Sequence, residues 1–554
     1  MKIFYLILFI KLFIIHSALS QAPLIRQWDF RFGGNSHESI SCLKQTSSGK
    51  LMMAGTIQSD SSEDVSQHTQ GATDFWIIIT DSVGDLEWEK RFGGNSYEEL
   101  RSAVETKDKG YILGGYTNSD SSGDVTSQSK GHQDYWVIKI DSIGNKQWDK
   151  RFGGAQEEIL QSIQQTTDGG YILGGKTSSD TSVDISQHRR GFIDYWIVKT
   201  DALGNKQWDK RFGGNSLSLL NSLLQTNDGG YIFGGYTASD SSGDVSQTTR
   251  DEHLTTGNGG DYWIVKTDSI GNKLWDKRFG GNYEDVINSL QQTKDGGYIL
   301  HGITQSDSSG DVSKPSRDSS LLLISQRGDY WIVKTDSLGN KQWDNRFGGN
   351  DTELRGTGNI SLIHDGGYLI SGESLSNASR DKTENNLGFT QAWIIRTDSL
   401  GGKLWDKTIF TRSVYQLSAY RAIAIQSSDQ CYIVATTTVA DTGGYKTQMS
   451  RGYEDFWFIK FCDTTTTIGI HGIDPEQNSI VVFPNPSANE IFIKSLPLDR
   501  NMTLRIFNTL GEIMIEKKVI TKQLKINVEY FLSGIYFIEI TTHQKKYFSK
   551  FIRE

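Results

Sequence analysis

The sequence predicts an all-β chain: a seven-bladed β-propeller, its last blade closed by the N-terminal strand, followed by a small C-terminal β-sandwich. Three observations carry this expectation. All 14 tryptophans fall into two evenly spaced series of seven. The residues between them divide into four short apolar runs per unit. A lone Trp-Asp run opens the chain, and the seventh unit lacks that same run at its end.

One tryptophan series is Trp76, Trp136, Trp196, Trp263, Trp331, Trp393 and Trp457, mostly within Asp-Tyr-Trp-Ile-Val-Lys. The other is Trp28, Trp88, Trp148, Trp208, Trp275, Trp343 and Trp405, mostly within Trp-Asp-Lys-Arg-Phe-Gly-Gly. The period is 60 residues in the early units and 62 to 68 later, a range that marks repeat architectures. In the third unit the runs are Ile159 to Gln165, Tyr171 to Thr177, Tyr195 to Thr200 and Lys206 to Phe212. They are rich in Ile, Val, Tyr and Trp and too short for helices, so they read as strands. Asp168-Gly169-Gly170 and Asp201 to Asn205 supply turns where glycine takes positive φ. Four antiparallel strands per unit, repeated seven times, describe a propeller. Closure follows from the ends: Trp28 to Gly34 supplies the fourth strand missing after Phe456 to Phe461, removing an exposed edge. The tryptophans then read as core between blades. Each contributes roughly 4–6 kcal/mol of gross burial, and truncation to Ala costs about 3–5 kcal/mol.

Around this repeat the chain divides into residues 1–20, 21–462, 463–479 and 480–554. Lys2 followed by the apolar run Ile3 to Ile15 and Ala18-Leu19-Ser20 reads as a secretory signal peptide cut before Gln21. No later segment approaches membrane-spanning length, so no transmembrane segment is expected in the mature chain. The charge changes sign near residue 480: residues 480–554 carry +4 and the remainder −13. A net charge of −9 with no basic stripe excludes a nucleic-acid partner. Of the three cysteines, Cys431 and Cys462 are candidates for a disulfide across a hairpin of the last unit, and Cys42 reads as a small buried residue.

Loop variation places the candidate binding face on the side of the second-to-third-strand loops. There units four and five extend, over Thr248 to Gly260 and Lys314 to Gly328, the latter with an apolar stretch from Leu321 to Ile324. The recurring Asp-Ser-Ser-Gly-Asp-Val of this face pairs Asp120 with Asp124, Asp240 with Asp244 and Asp307 with Asp311. Hard oxygen ligands on a glycine-containing loop suit Ca²⁺, whereas turn capping by the same residues needs no metal. No other cofactor is implied. A further recurring acid, Glu38, Glu98, Glu158 and Asp285, reads as scaffold, because a catalytic pair needs two carboxylates in different environments. No catalytic constellation is identifiable and no enzyme activity is expected. The sixth unit, with Glu353, Arg355, His364 and Glu373, is the most divergent place for one. The turn Thr-Asp-Ser-x-Gly-Asn-Lys-x-Trp is similar to the aspartate box of sialidases and to the tryptophan-docking repeat of quinoproteins, but its Asp268–Gly271–Trp275 gaps differ from both.

Residues 480–554 show Val-Val-Phe-Pro-Asn-Pro (Val481 to Pro486), Leu504 to Gly511, Leu532 to Phe537 and a terminal Lys550-Phe551-Ile552. Alternation alone says only a small β-sandwich. The four motifs in this order closely resemble the C-terminal sorting domain of type IX secretion cargo from Bacteroidetes. That resemblance implies recognition by the type IX secretion machinery, through Gly534, Ile535, Tyr536, Lys550, Phe551 and Ile552 as the nearest likeness to the sorting signal. It also implies removal of the domain by a sortase-like processing enzyme and a secreted or outer-membrane-surface destination. The propeller units are similar to Asp-Tyr-Trp and Asp-Gly-Gly-Tyr repeats of secreted proteins from that group. Together these imply a non-catalytic surface scaffold for a glycan or protein ligand. The alternative is a polysaccharide-acting hydrolase or lyase.

Overall fold

The structure is a computed structural model. It describes residues 24–250, 260–317, 328–354, 358–412 and 420–463, and, toward the C-terminus, 481–483, 487, 489–494, 502–508, 513–519, 524–541 and 546–553. The expected signal peptide, the linker and most of the loop extensions in units four and five lie outside the described residues. The chain divides into two compact units, 1–465 and 466–554.

Among the described residues the first unit contains seven four-stranded antiparallel sheets, and its fold is all-β and propeller-like. In the third repeat the strands are Glu158–Gln165, Tyr171–Thr177, Asp194–Thr200 and Lys206–Phe212, hydrogen-bonded in sequence order. Two of these start one residue before the expected bounds, at Glu158 and Asp194. Acids look like strand ends in a sequence, but here both are fully buried inside the ladder. The sheet containing Tyr420–Gln426, Tyr432–Thr438 and Asp455–Asp463 takes Leu24–Phe32 as its fourth strand. That pairing runs from Leu24 opposite Asp463 to Phe32 opposite Phe456.

One polar network explains why the two tryptophan motifs recur together. Each third-strand Trp is completely buried, and its Nε1–H donates to the acid following the fourth-strand Trp. The pairs include Trp136 to Asp149 at 3.1 Å, Trp196 to Asp209 at 3.2 Å and Trp263 to Asp276 at 3.0 Å. In the last sheet Trp457 donates to Asp29, 428 residues away, at 3.0 Å. The fourth-strand Arg is buried too, and Arg91 Nε lies 2.9 Å from Asp74 at the head of the third strand.

The two tryptophan series differ in burial, which corrects the uniform core reading. Trp28, Trp88, Trp148, Trp208, Trp275 and Trp343 are only half-buried. From Trp88 to Trp343 the rings are covered by the Asp-x-x-Gly turn of the next unit, whereas the matching turn at Gly84 meets Phe30. Gly204 sits there at φ +76°, and a Cβ on it would come within 2.8 Å of Trp148. Glycine is therefore required twice over, by conformation and by approach. Truncating Trp196 to Ala is expected to cost about 3–5 kcal/mol, and truncating Trp148 measurably less, by chemical denaturation.

Cys431 and Cys462 form a disulfide at the end of the hairpin between Tyr432–Thr438 and Asp455–Asp463, with Cα atoms 4.4 Å apart. A loop of 31 residues closed this way stabilises by about 3–4 kcal/mol on chain-entropy grounds. Cys42 is buried and unpaired.

Two buried acids that make no ion pair among the described residues make the stability pH-dependent. Burial raises Glu38 to about 7, against the opposing hydrogen bonds from Ser59 and Gly34. Burial raises Asp285 to about 8, against a bond from Thr304 and with help from nearby Asp261. Both bind a proton in the folded state that the unfolded chain has already lost, so their contribution is complete below about pH 4 and disappears as pH rises to 7–8. The melting temperature is expected to fall between pH 5 and pH 8.5. A Glu38→Gln/Asp285→Asn double variant should flatten that slope; an unchanged slope would assign it to other groups.

The second unit contains a three-stranded sheet, Val481–Phe483, Glu490–Lys494 and Leu524–Asn527. Its four-stranded partner has Ile513–Val519, Met502–Phe507, Gly534–Thr541 and Lys546–Arg553 in that spatial order. Ile491, Leu504, Ile506, Ile538, Ile540 and Phe551 form a core drawn from both sheets.

Candidate functional site

The strands that begin the seven repeats line a common cavity of ≈ 620 Å³. A β-bulge interrupts five of them at the same place: between Ile40 and Cys42, Leu100 and Ser102, Leu160 and Ser162, Leu220 and Ser222, and Ile287 and Ser289. A bulge adds one residue and re-aims its side chain. The added residues are Ser41, Arg101, Gln161, Asn221 and Asn288, and all line the cavity with Asn359 and Arg421 from the last two units. The residue before the bulge is Ile or Leu in all five and the one after it is Ser in four, Cys42 being the exception; the bulged position itself holds Ser, Arg, Gln, Asn and Asn.

Around Arg101 and Arg421 the wall is asymmetric. Both guanidiniums meet Glu99 Oε1, at 3.0 Å and 3.3 Å. Tyr116 Oη donates to Glu99 Oε2 at 2.5 Å, and the Arg101 guanidinium lies 5.8 Å from the centre of the Tyr116 ring. Arg421 also donates to Ser41 Oγ at 3.1 Å, and its backbone N–H donates to the Glu373 carboxylate. Its φ of +58° is rare for a residue with a side chain and is held by these contacts. Burial acts to raise Glu99, but Arg101, Tyr116 and Arg421 outweigh it and hold the carboxyl below its usual range. Burial and the Glu99 charge push the Tyr116 phenol upward.

None of these residues was singled out in the sequence except Glu373. The bulged position varies in the sequence, but so do others in the same strand, such as Ser39, Glu99, Ile159, Leu219 and Val286, and a bulge cannot be seen from the sequence. Of the divergent acids and bases of unit six, Glu353 is buried scaffold, accepting from Ser374 and Ser376 at 2.9 Å. His364 lies in the exposed turn after the first strand, bound to Gln426, and Arg355 lies outside the described residues.

The paired aspartates of the long-loop face do not converge. Asp120 Oδ1 accepts the N–H groups of Ser121 and Ser129 at 2.8 and 3.0 Å, and those two donors hold its pKa below the usual range. Asp240 and Asp307 do the same with Ser241 and Thr249, and with Ser308 and Ser316. Their partners reach away to the preceding unit. Asp124 accepts from Gly93 N–H and from Gln70, Asp244 pairs with Arg190 at 3.0 Å, and Asp311 pairs with Arg250. These donor sets do not fit a shared Ca²⁺, and among the described residues no three acidic, His or Cys side chains are grouped for a metal. Chelator is expected to leave the melting temperature unmoved; a drop reversed by Ca²⁺ would overturn this assignment.

In the C-terminal unit the strand register brings the sorting-signal residues together. Ile535 lies opposite Ile552, Tyr536 opposite Phe551, and Phe537 opposite Lys550. Tyr536 and Phe551 are buried and stacked at 5.5 Å, while Gly534, Ile535, Lys550 and Ile552 are exposed.

These features define a class: an all-β, propeller-like protein carrying a separate small β unit at its C-terminus. Residues 481–554 match the family described as secretion system C-terminal sorting domain, so the chain carries the export tail of type IX cargo. That tail implies secretion or display at the cell surface, and recognition by the type IX machinery. Among the described residues no helix is long and apolar enough to cross a membrane. No curated protein matches the chain. Among solved structures it is similar to PorZ, an essential surface component of the type IX secretion system of Porphyromonas gingivalis. The identity is 11%, over 94% of this chain and 60% of that one, with a TM-score of 0.37. A Dyadobacter fermentans protein of unknown function matches at 9% identity, over 79% of this chain and 98% of that one, with a TM-score of 0.37. The NanB sialidase of Streptococcus pneumoniae matches at 11%, over 78% and 70%, also at 0.37.

Proposed function

We propose that the first unit is a closed seven-bladed propeller, exported by the type IX system, that binds an extracellular glycan or protein ligand in its central cavity without catalysis. The repeats would belong with the Asp-Tyr-Trp and Asp-Gly-Gly-Tyr repeats of secreted proteins. The tail would be removed by a sortase-like enzyme, leaving the propeller free or attached at the outer-membrane surface. Closure is supported by contacts from the seventh unit to the first that copy those between other neighbours. Phe456 packs on Trp76 at 5.0 Å as Tyr135 packs on Trp196 at 4.7 Å. Arg451 pairs with Asp64 as Arg190 pairs with Asp244.

The observation that carries the binding reading is the bulge ring. A scaffold under purely structural demand repeats its residues, as the buried Trp, Asp and Arg do. At Ser41, Arg101, Gln161, Asn221 and Asn288 the repeat breaks, and it breaks where side chains face a cavity of ligand size. Hydrolysis of a glycoside ordinarily needs two carboxyl groups facing the substrate. Of the described residues lining this cavity none is Asp or Glu.

One observation favours the enzyme reading: Tyr116 with Glu99 is a hydroxyl beside a carboxylate able to take its proton. The upward pressure on the phenol works against it as a nucleophile. The test is a glycan array run beside reducing-sugar release from algal and plant polysaccharides. Binding without release is expected. Release abolished by Tyr116→Phe would replace the binding reading with the enzymatic one.

A further inference from the structure

The charge of the cavity wall departs from that of the unit around it. Residues 1–479 carry −13, yet the charged side chains lining the cavity are Lys44, Arg101 and Arg421, all cationic. The remaining polar lining is neutral amide and hydroxyl: Ser41, Gln161, Asn221, Asn288 and Asn359 among them. Glu99 and Glu373 offset part of this charge, and with Lys44 a net positive charge is left beside the cavity, whose low-dielectric walls focus its potential.

The two guanidiniums are also arranged for one small anion. They come from different repeats, the second and the seventh, and converge on a single oxygen of Glu99. Each guanidinium meets Glu99 Oε1 through its Nη2, so the pair keeps N–H groups that Glu99 does not take. Planar guanidinium donors match carboxylate and sulfate oxygens, and such charge-assisted bonds are the strong ones. Glu373 belongs to this neighbourhood as well, but its carboxylate accepts the Arg421 backbone N–H. Glu99 is therefore an internal stand-in for the acidic group of a ligand.

We infer that the cavity takes an acidic saccharide, whose carboxylate or sulfate is held by Arg101 and Arg421 while its hydroxyls meet the Ser, Asn and Gln side chains of the bulge ring. This rests on the binding reading above and narrows it to a ligand class. A cavity of ≈ 620 Å³ admits a short oligosaccharide segment and excludes a folded domain.

The test is calorimetric titration of the full exported chain with three oligosaccharides of equal length: a uronate trimer, a sulfated galactan trimer and a neutral glucan trimer. Binding of an acidic trimer at least tenfold tighter than the neutral one is expected. The stronger of the two acidic arms identifies the group recognised. Arg101→Gln should weaken acidic binding about 10- to 100-fold, the loss of a charge-assisted contact. Glu99→Gln should tighten it several-fold by releasing both guanidiniums, a gain that a misfolded variant cannot give. Equal affinity for the neutral trimer, or no response to Arg101→Gln and Glu99→Gln, overturns the acidic-ligand inference and leaves glycan binding standing. Absence of binding to every saccharide removes the inference, and an extended peptide segment of a protein ligand seated in the cavity would then keep the broader reading.

Discussion

Deleting residues 21–34 is expected to replace one sharp melting transition with a broad, lower one and to make the protein aggregate. The strand Leu24–Phe32 supplies the outer edge of the last sheet, so its loss bares the backbone groups of Asp455–Asp463. Unpaired edges template association. Trp28, Phe30 and Phe32 leave with it, each packed against Phe458 at ring separations of 5.4 to 5.7 Å. Phe32 is buried and Trp28 and Phe30 are half-buried, so at about 1.5–3 kcal/mol per fully buried large apolar side chain their loss removes several kcal/mol from a domain stability that is ordinarily about 5–15 kcal/mol. Asp29 leaves too. It accepts from Trp457 Nε1 at 3.0 Å and from Thr447 N–H at 2.9 Å, so a buried indole donor and a part-buried amide lose their acceptor. Scanning calorimetry of the truncated and full chains decides the matter. A truncated product that melts as sharply and at the same temperature would mean the proposed ring does not close through this strand.

The second large effect is expected at Arg211, whose side chain is fully buried in the third sheet. Its Nε lies 3.5 Å from Asp194 Oδ2, and Nη2 donates to the Ser179 carbonyl and, at 3.4 Å, to Thr177 Oγ1. Burial alone already pushes Asp194 upward, against the pull of the Arg190 amide and the Arg211 charge. Arg211→Ala leaves that carboxylate without its cation and the Ser179 carbonyl without its donor. A loss of about 3–5 kcal/mol by chemical denaturation is expected. Replacing both partners, Asp194→Asn with Arg211→Met, should recover much of it, because no unpaired charge remains. If the double variant is as unstable as the single one, the damage lies in packing and the ion pair is incidental.

Much of this architecture is legible from two short motifs. The Trp of Asp-Tyr-Trp and the Asp of Trp-Asp recur together because they are donor and acceptor across adjacent strands, and the N-terminal copy pairs with the C-terminal one for that reason. The Asp-Ser-Ser-Gly-Asp loops were legible as turn-capping or metal candidates, and the first Asp of each does cap its turn, but the partner of the second was not legible. The first Asp closes its own loop and the second reaches the neighbouring unit, a distinction between short-range and long-range partners that spacing does not carry. The candidate site was less legible still. Arg101 and Arg421 stand far apart in the chain, and each looks like an ordinary strand residue.

The sequence by itself determined the four-strand unit, its sevenfold recurrence, the N-terminal strand's place in the last sheet and the export tail. Each of these is written in local pattern and fixed spacing, which hydrophobic periodicity and turn chemistry translate directly. Only the tertiary structure decided which half of the tryptophans are fully buried, where the carboxylates of the long loops go, and that two arginines share one glutamate in a common cavity. Those outcomes depend on a bulge that adds one residue to a strand and on contacts between units far apart in sequence, and neither leaves a periodic trace.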